Sequence, residues 1–166
     1  MKTVYFVCYG NLCRSPFAER YAALHAPEHG LDDIHYDGAG VGATPGTRCP
    51  KPGVAAAAEL GVDLAPYRAK HIDDVGPNPG DLIVAMDRYV FGAMADTLGA
   101  PLSQVRGPGG ARLELMMQSV AGIAAFSSYG LDVPDPMGSG IGAYRDVYAL
   151  LSQVVDRFLI RLRDDS

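Results

Sequence analysis

The sequence predicts an α/β fold: a single domain over residues 1–166, built on a four-stranded parallel sheet with helices on both faces. Three observations predict it. Short apolar, β-rich runs alternate with stretches of helical spacing. The first such run leads directly through a Gly/Asn turn into a helix start. The chain is also long enough to bury one real hydrophobic core without disulfide staples.

Taken in order, Thr3 to Val7 reads as a buried first strand. Ser15 is placed to cap the following helix, with Pro16 at its first position, where a missing N–H does no harm, and the helix runs towards His25. Ile34 to Ala39 reads as the second strand. Val54 to Leu60 is rich in alanine and closed by Gly61, a helix with a C-terminal stop. Leu82 to Met86 forms the third strand and Tyr89 to Leu98 the next helix. Gly107-Pro108-Gly109-Gly110 is a loop. Arg112 to Met116 suits either a strand or the start of a helix ending near Phe126; the reading favours a short fourth strand followed by an irregular or helical insert. Tyr144 to Leu162 carries apolar residues at helical spacing and reads as a long terminal helix. There is no internal repeat and no domain-length linker. In such a sheet the ligand site lies at the carboxyl ends of the strands.

Composition narrows the function. A net charge of −5 argues against a general nucleic-acid binder and leaves a local phosphate site untouched. Val4 to Cys8 is too short for a secretory core, and no stretch is long enough to cross a bilayer. Three cysteines, two of them inside one short loop, suit a reducing compartment better than a disulfide framework. The expectation is a cytoplasmic monomer with no membrane or nucleic-acid partner.

Chemistry concentrates in Cys8-Tyr9-Gly10-Asn11-Leu12-Cys13-Arg14-Ser15-Pro16, just after the first strand. A loop leaving a strand and entering a helix can turn successive backbone N–H groups inward, and the helix N-terminus favours an anion. Phosphate, or another oxyanion, fits such a nest formed by Tyr9, Gly10, Asn11, Leu12, Cys13, Arg14 and Ser15. Arg14 offers a planar fork that binds two phosphoryl oxygens at once. Cys8 sits where the helix terminus and Arg14 both favour a thiolate, ready for in-line attack. Gly10 relieves the turn, and Asn11 is the non-glycine type most tolerant of a left-handed conformation. The Ser15 hydroxyl is placed to hydrogen-bond the thiolate. No Gly-Lys-Ser/Thr follows the glycines, so this is not a nucleotide-binding P-loop. Zinc held by Cys8, Cys13 and His25 or His29 is a poorer account, because the spacing fits no common site; neither metal nor other cofactor is expected.

The nine-residue string resembles, at every fixed position, the phosphate-binding loop C-x-G-N-x-C-R-S-P of the low-molecular-weight protein tyrosine phosphatases. Other segments resemble that family in the same order. Gly38-Ala39-Gly40 stands where the family usually has Ser-Ala-Gly, and Tyr67-Arg68-Ala69-Lys70 resembles its His-Arg-Ala-Arg. Residues Asp81 to Asp87 look like its third strand and the turn after it, and Val133-Pro134-Asp135-Pro136 like its Asp-Pro loop. The resemblance implies a flavodoxin-like fold and metal-independent hydrolysis of phosphotyrosine in phosphorylated proteins through a phosphocysteine. Cys8 would be the nucleophile, Arg14 the phosphate clamp and Asp135 the general acid and base, with Asp132 as the alternative acid.

The same resemblance gives Cys13 two readings, packing beneath the loop or trapping an oxidised Cys8 as a reversible disulfide. Cys49, among Pro and Gly, reads as an exposed loop thiol, and Tyr144 and Tyr148 as packing residues. Substrate signals conflict. The family's tyrosine phosphatases often place aromatic side chains beside the Asp-Pro loop, whereas Met137-Gly138-Ser139-Gly140 follows here and looks more like the protein-arginine phosphatase branch. That branch has threonine where this chain has Leu12, and the apolar Leu12 points to aryl phosphates, with Tyr9 at the rim as a substitute aromatic ledge. Protein-arginine phosphatase is the alternative; arsenate reductase and a silent anion-binding module are weaker ones, since only Cys49 lies outside the loop and Cys8, Arg14 and Asp135 are all present.

Overall fold

The computed structural model describes residues 3–96, 104–120 and 130–166. Four strands, β1 (Thr3–Cys8), β2 (His35–Gly40), β3 (Leu82–Ala85) and β4 (Arg112–Leu115), lie in the order β2-β1-β3-β4. Every pairing is parallel. Among the described residues the helices are α1 (Arg14–His25), α2 (Lys51–Ala58), α3 (Arg88–Met94), α4 (Met116–Ser119) and α5 (Ile141–Asp164). None is long and apolar enough to cross a membrane.

Successive side chains of a strand point to opposite faces, so a strand covered on both faces must be apolar throughout. In β1, Val4, Phe6 and Cys8 join Phe17 of α1 and Leu151 and Phe158 of α5 in one core. Tyr5 and Val7 join Ile83, Val90 of α3 and Leu113 in the other. The first core is aromatic at its centre: Phe17 stacks on Tyr148 at 4.2 Å, and Phe6 meets Phe158 edge-on at 5.7 Å. Each fully buried ring or Leu contributes about 1.5–3 kcal/mol, which fixes α1 and α5 against β1 and thereby the loop between β1 and α1.

The helix starts differ from the sequence reading for identifiable reasons. α1 begins at Arg14, so Cys13 stands at its N-cap and Ser15 lies inside the first turn rather than capping it. Its hydroxyl is engaged by Cys8 and Asn11 instead. α2 begins at Lys51, three residues before Val54, with Pro52 in its first turn. Gly61 takes φ 77 after its end, where the Val62 N–H closes on the Ala57 carbonyl at 3.0 Å. α3 is capped by the Asp87 carboxylate and ends at Met94; its expected extension to Leu98, and the insert out to Phe126, reach outside the described residues. β4 forms where the strand alternative was favoured.

Candidate active site

Cys8 is the last residue of β1, opposite Gly40 in the register, at the carboxyl edge of the sheet. The chain then turns through residues 9–13 into α1. A side chain at position 40 is impossible without rebuilding this turn, because a β-carbon there would lie 2.5 Å from the Tyr9 carbonyl oxygen and 2.8 Å from the Asn11 nitrogen. Asn11 adopts φ 52, the one left-handed conformation among the described non-glycine residues, and its amide holds it there. The Lys70 backbone N–H, which can only donate, is 2.8 Å from Asn11 Oδ1. That fixes the amide's orientation, so Nδ2 is the atom donating to Ser15 Oγ at 2.8 Å and to the Tyr67 hydroxyl at 3.0 Å.

These polarities propagate to the sulfur. Ser15 accepts from Asn11, and its hydroxyl lies 3.0 Å from Cys8 Sγ, to which it donates when the sulfur is a thiolate, and 3.4 Å from the Ala39 carbonyl. The Asn11 N–H adds a second donor to Sγ at 3.2 Å. On the far side, the Tyr67 hydroxyl donates to Glu19 Oε2 at 2.6 Å. Glu19 is buried, and burial raises its pKa against the opposing influence of Tyr67 and Lys70. A β-carbon at Gly38 would lie 2.8 Å from that carboxylate oxygen and 2.9 Å from the Tyr67 hydroxyl.

Arg14 is buried. Its Nη1 donates to Asp87 Oδ2 at 2.7 Å and to the Val133 carbonyl at 3.0 Å, and Nη2 lies 3.7 Å from Asp135 Oδ2. Desolvation works against the guanidinium, and the charges of Cys8, Asp87 and Asp135 together outweigh it. Asp87 serves twice, since its Oδ1 accepts from Val90 N at 2.8 Å and caps α3. Asp135 is half exposed, with Oδ1 accepting from Met137 N at 3.1 Å. The alternative acid, Asp132, is taken up by Arg88, which reaches it through its backbone N at 2.9 Å, Nε at 3.2 Å and Nη2 at 2.9 Å. Those bonds hold its carboxyl below the ordinary range.

Cys13 packs in the first core, its thiol 3.3 Å from the Tyr144 hydroxyl and 4.0 Å from Met137 Sδ; burial pushes its pKa up to about 11. Tyr148 donates to the Cys13 carbonyl at 3.0 Å. Both tyrosines are buried packing residues, as the sequence suggested. Cys49 is not the exposed thiol expected: it belongs to the same core, and burial raises its pKa to about 12. The residue stands just before α2, which packs on α5, and the Pro-rich context reports a turn without reporting which side of it faces inward. Leu12 is partly buried against the core, and Gly10 sits beneath it. Sequence reasoning missed Asp87, Glu19 and the partnership of Tyr67 with Gly38. Asp87 had a signal, an acidic residue between a strand and a helix.

The sequence model described as "Low molecular weight phosphotyrosine protein phosphatase" matches residues 3–166. The chain belongs to this family. Among curated members of the low molecular weight phosphatases, the probable low molecular weight protein-tyrosine-phosphatase EpsP of Ralstonia solanacearum is 29% identical over 163 residues, covering 98% of this chain and 97% of the relative. The crystal structure of a low molecular weight protein tyrosine phosphatase from T. tengcongensis is 27% identical with a TM-score of 0.74, covering 97% of this chain and 99% of the other. The fold is shared equally with an arginine phosphatase, YwlE, in a mutant form with a phosphorylated active site serine, at 24% identity and TM-score 0.76 over 98% of this chain and 97% of that one. The chain is thus a phosphatase of the low molecular weight family, and its relatives in fold include enzymes for two kinds of phosphoamino acid.

Proposed function

We propose that this chain hydrolyses phosphotyrosine in proteins through a phosphocysteine intermediate, without a metal. The observation that carries the reading is the convergence on one loop of Cys8 Sγ beside the Ser15 hydroxyl and the Asn11 N–H, the buried Arg14 guanidinium, and the Asp135 carboxylate 3.7 Å from that guanidinium. The phosphoryl group sits in the loop at the N-terminus of α1, with Arg14 spreading its charge. Cys8 thiolate attacks phosphorus in line, the bond from phosphorus to the phenolic oxygen breaks, and Asp135 gives its proton to the leaving phenolate. Asp135, now a carboxylate, takes a proton from water; the water oxygen attacks phosphorus, the S–P bond breaks, and inorganic phosphate leaves with the thiolate restored. Ser15, donating to the sulfur, stabilises it both as attacker and as leaving group.

Leu12 supports an aryl substrate, since it offers apolar surface and no hydrogen bond at the loop. The residues after Asp135 favour the second reading, phosphoarginine, because Met137-Gly138-Ser139-Gly140 resembles that branch and supplies no ring. The deciding experiment compares kcat/KM on phosphotyrosine and phosphoarginine peptides of matched sequence, under reducing conditions with a chelator present. A preference for phosphotyrosine supports the proposal. A preference for phosphoarginine hands the assignment to the second reading, and loss of activity in the chelator would sink the mechanism.

A further inference from the structure

We propose that Tyr9 and Tyr89 together form the platform on which the substrate's aromatic ring lies, with Tyr89 as a specificity-determining residue; the proposal rests on the phosphotyrosine reading above. Tyr9 directly follows Cys8 in the phosphate loop and is half exposed. Its ring lies 6.1 Å from that of Tyr89, the planes inclined at 53°. Tyr89 is 69% exposed. It belongs to the first turn of α3, two residues after the aspartate that holds Arg14, so the helix that anchors the phosphate clamp also presents this ring.

Tyr9 is placed by the backbone. A β-carbon at Gly42, in the loop after β2, would fall 2.6 Å from one Tyr9 ring atom and 2.9 Å from two others. The ring therefore rests against Gly42 and meets Tyr89. A phosphate seated in the loop must project its ester group outward past Tyr9, because Tyr9 is the residue next to the nucleophile. The ring of phosphotyrosine then meets aromatic surface, in the inclined and offset geometries that aromatic pairs prefer. On the Asp135 side the exposed apolar group is Met137, half exposed near Cys13, which gives a softer contact. The aromatic wall absent from the segment after Asp135 is thus supplied by the loop itself and by α3. An alkyl phosphoester or a guanidino phosphoramidate has no aryl face to place there.

The test measures kcat and KM on phosphotyrosine and phosphoarginine peptides of matched sequence, together with the inhibition constant of inorganic phosphate, for the wild type and for Tyr89→Ala, Tyr89→Phe and Gly42→Ala. Removing one aromatic partner is expected to lower the phosphotyrosine-to-phosphoarginine ratio of kcat/KM about fivefold. The loss should appear mainly in KM, with the phosphate inhibition constant unmoved. Tyr89→Phe keeps the ring and should keep the ratio; Gly42→Ala displaces Tyr9 and should lower it. An unchanged ratio in Tyr89→Ala, or an equal fall on both substrates, overturns the platform while leaving the phosphotyrosine reading in place. A wild type that prefers phosphoarginine overturns that reading and the platform with it, and shows itself before any substitution is made.

Discussion

The Tyr67 hydroxyl donates to Glu19 Oε2 at 2.6 Å, which leaves its oxygen to accept and matches the Asn11 amide orientation that the Lys70 N–H imposes. A phenol has one proton. With that proton on Glu19, the oxygen can only accept from Asn11, which also donates to Ser15, whose hydroxyl faces the sulfur. Replacing Tyr67 by Phe strands a buried carboxylate and one amide donor, at a cost of about 1–3 kcal/mol in stability. We expect Tyr67→Phe to lower kcat/KM about tenfold, with an altered pH–rate profile. An unaltered profile would show that the orientation of this chain does not reach Cys8.

Glu19 brings a pH dependence of its own. Burial raises its pKa in the folded state, so between the unfolded and folded values the native chain binds more protons than the unfolded one, and stability falls as pH rises through that window. Glutamine has no charge to desolvate and can still accept from Tyr67. The stability of Glu19→Gln relative to the wild type should therefore increase as the pH is taken from about 4.5 upward, as measured by denaturant unfolding at several pH values. A constant difference would refute the assignment.

Gly38 and Tyr67 should behave as a coupled pair. A side chain at position 38 would press on both the Glu19 carboxylate and the Tyr67 hydroxyl. Gly38→Ser alone should cost about 1–3 kcal/mol through overpacking. In the double variant with Tyr67→His, the shorter imidazole frees the space, and the combined cost should fall below the sum of the two single costs. Strict additivity in a double-mutant cycle would mean that the two positions are independent.

Asp87 links the phosphate clamp to α3. Asp87→Asn keeps an oxygen to cap the helix but removes the charge that faces Arg14. Stability should drop by about 1–3 kcal/mol, and kcat/KM more than tenfold as the guanidinium loses its fixed position. Wild-type kinetics in this variant would show that Val133 and the rest of the site hold Arg14 unaided.

The three thiols should differ sharply in reactivity. With pKa values of about 11 and about 12, Cys13 and Cys49 are overwhelmingly protonated at neutral pH, with a thiolate fraction for Cys13 on the order of 0.0001. Iodoacetate, an anion suited to the phosphate loop, should label Cys8 first in the native protein, and the other two only after denaturation. Peptide mapping by mass spectrometry reads this directly, and early labelling of Cys49 would contradict the raised pKa of its thiol.

The parts of the site that lie next to one another in the chain were legible in the sequence. Strand, loop and helix start are contiguous, so Cys8, Asn11, Arg14 and Ser15 announce themselves through spacing, and the parallel sheet follows from the alternation of apolar runs. Residues that enter only when the chain folds back on itself were harder. Asp87 and Tyr67 lie 73 and 56 positions from the loop residues they contact, and nothing local marks Tyr67 as the partner of Asn11. Glu19 was within reach, because it lies four residues after Ser15 in the helix that follows the loop and so shares a face with it. Ser15 misled as a cap because the hydroxyl that would have satisfied the helix end is spent on the sulfur and the asparagine, a case where chemistry overrides local preference.

The hydrogen bond from Arg14 to the Val133 carbonyl joins positions 119 apart. During synthesis the loop and the first helix leave the ribosome long before residue 133 exists, so Arg14 spends that interval without one of its anchors. Closing so long a span comes late in folding. Competence at the loop is therefore a property of the finished chain: a stalled or prematurely ended product would carry the whole Cys8-to-Pro16 string and still lack the tether that fixes its arginine.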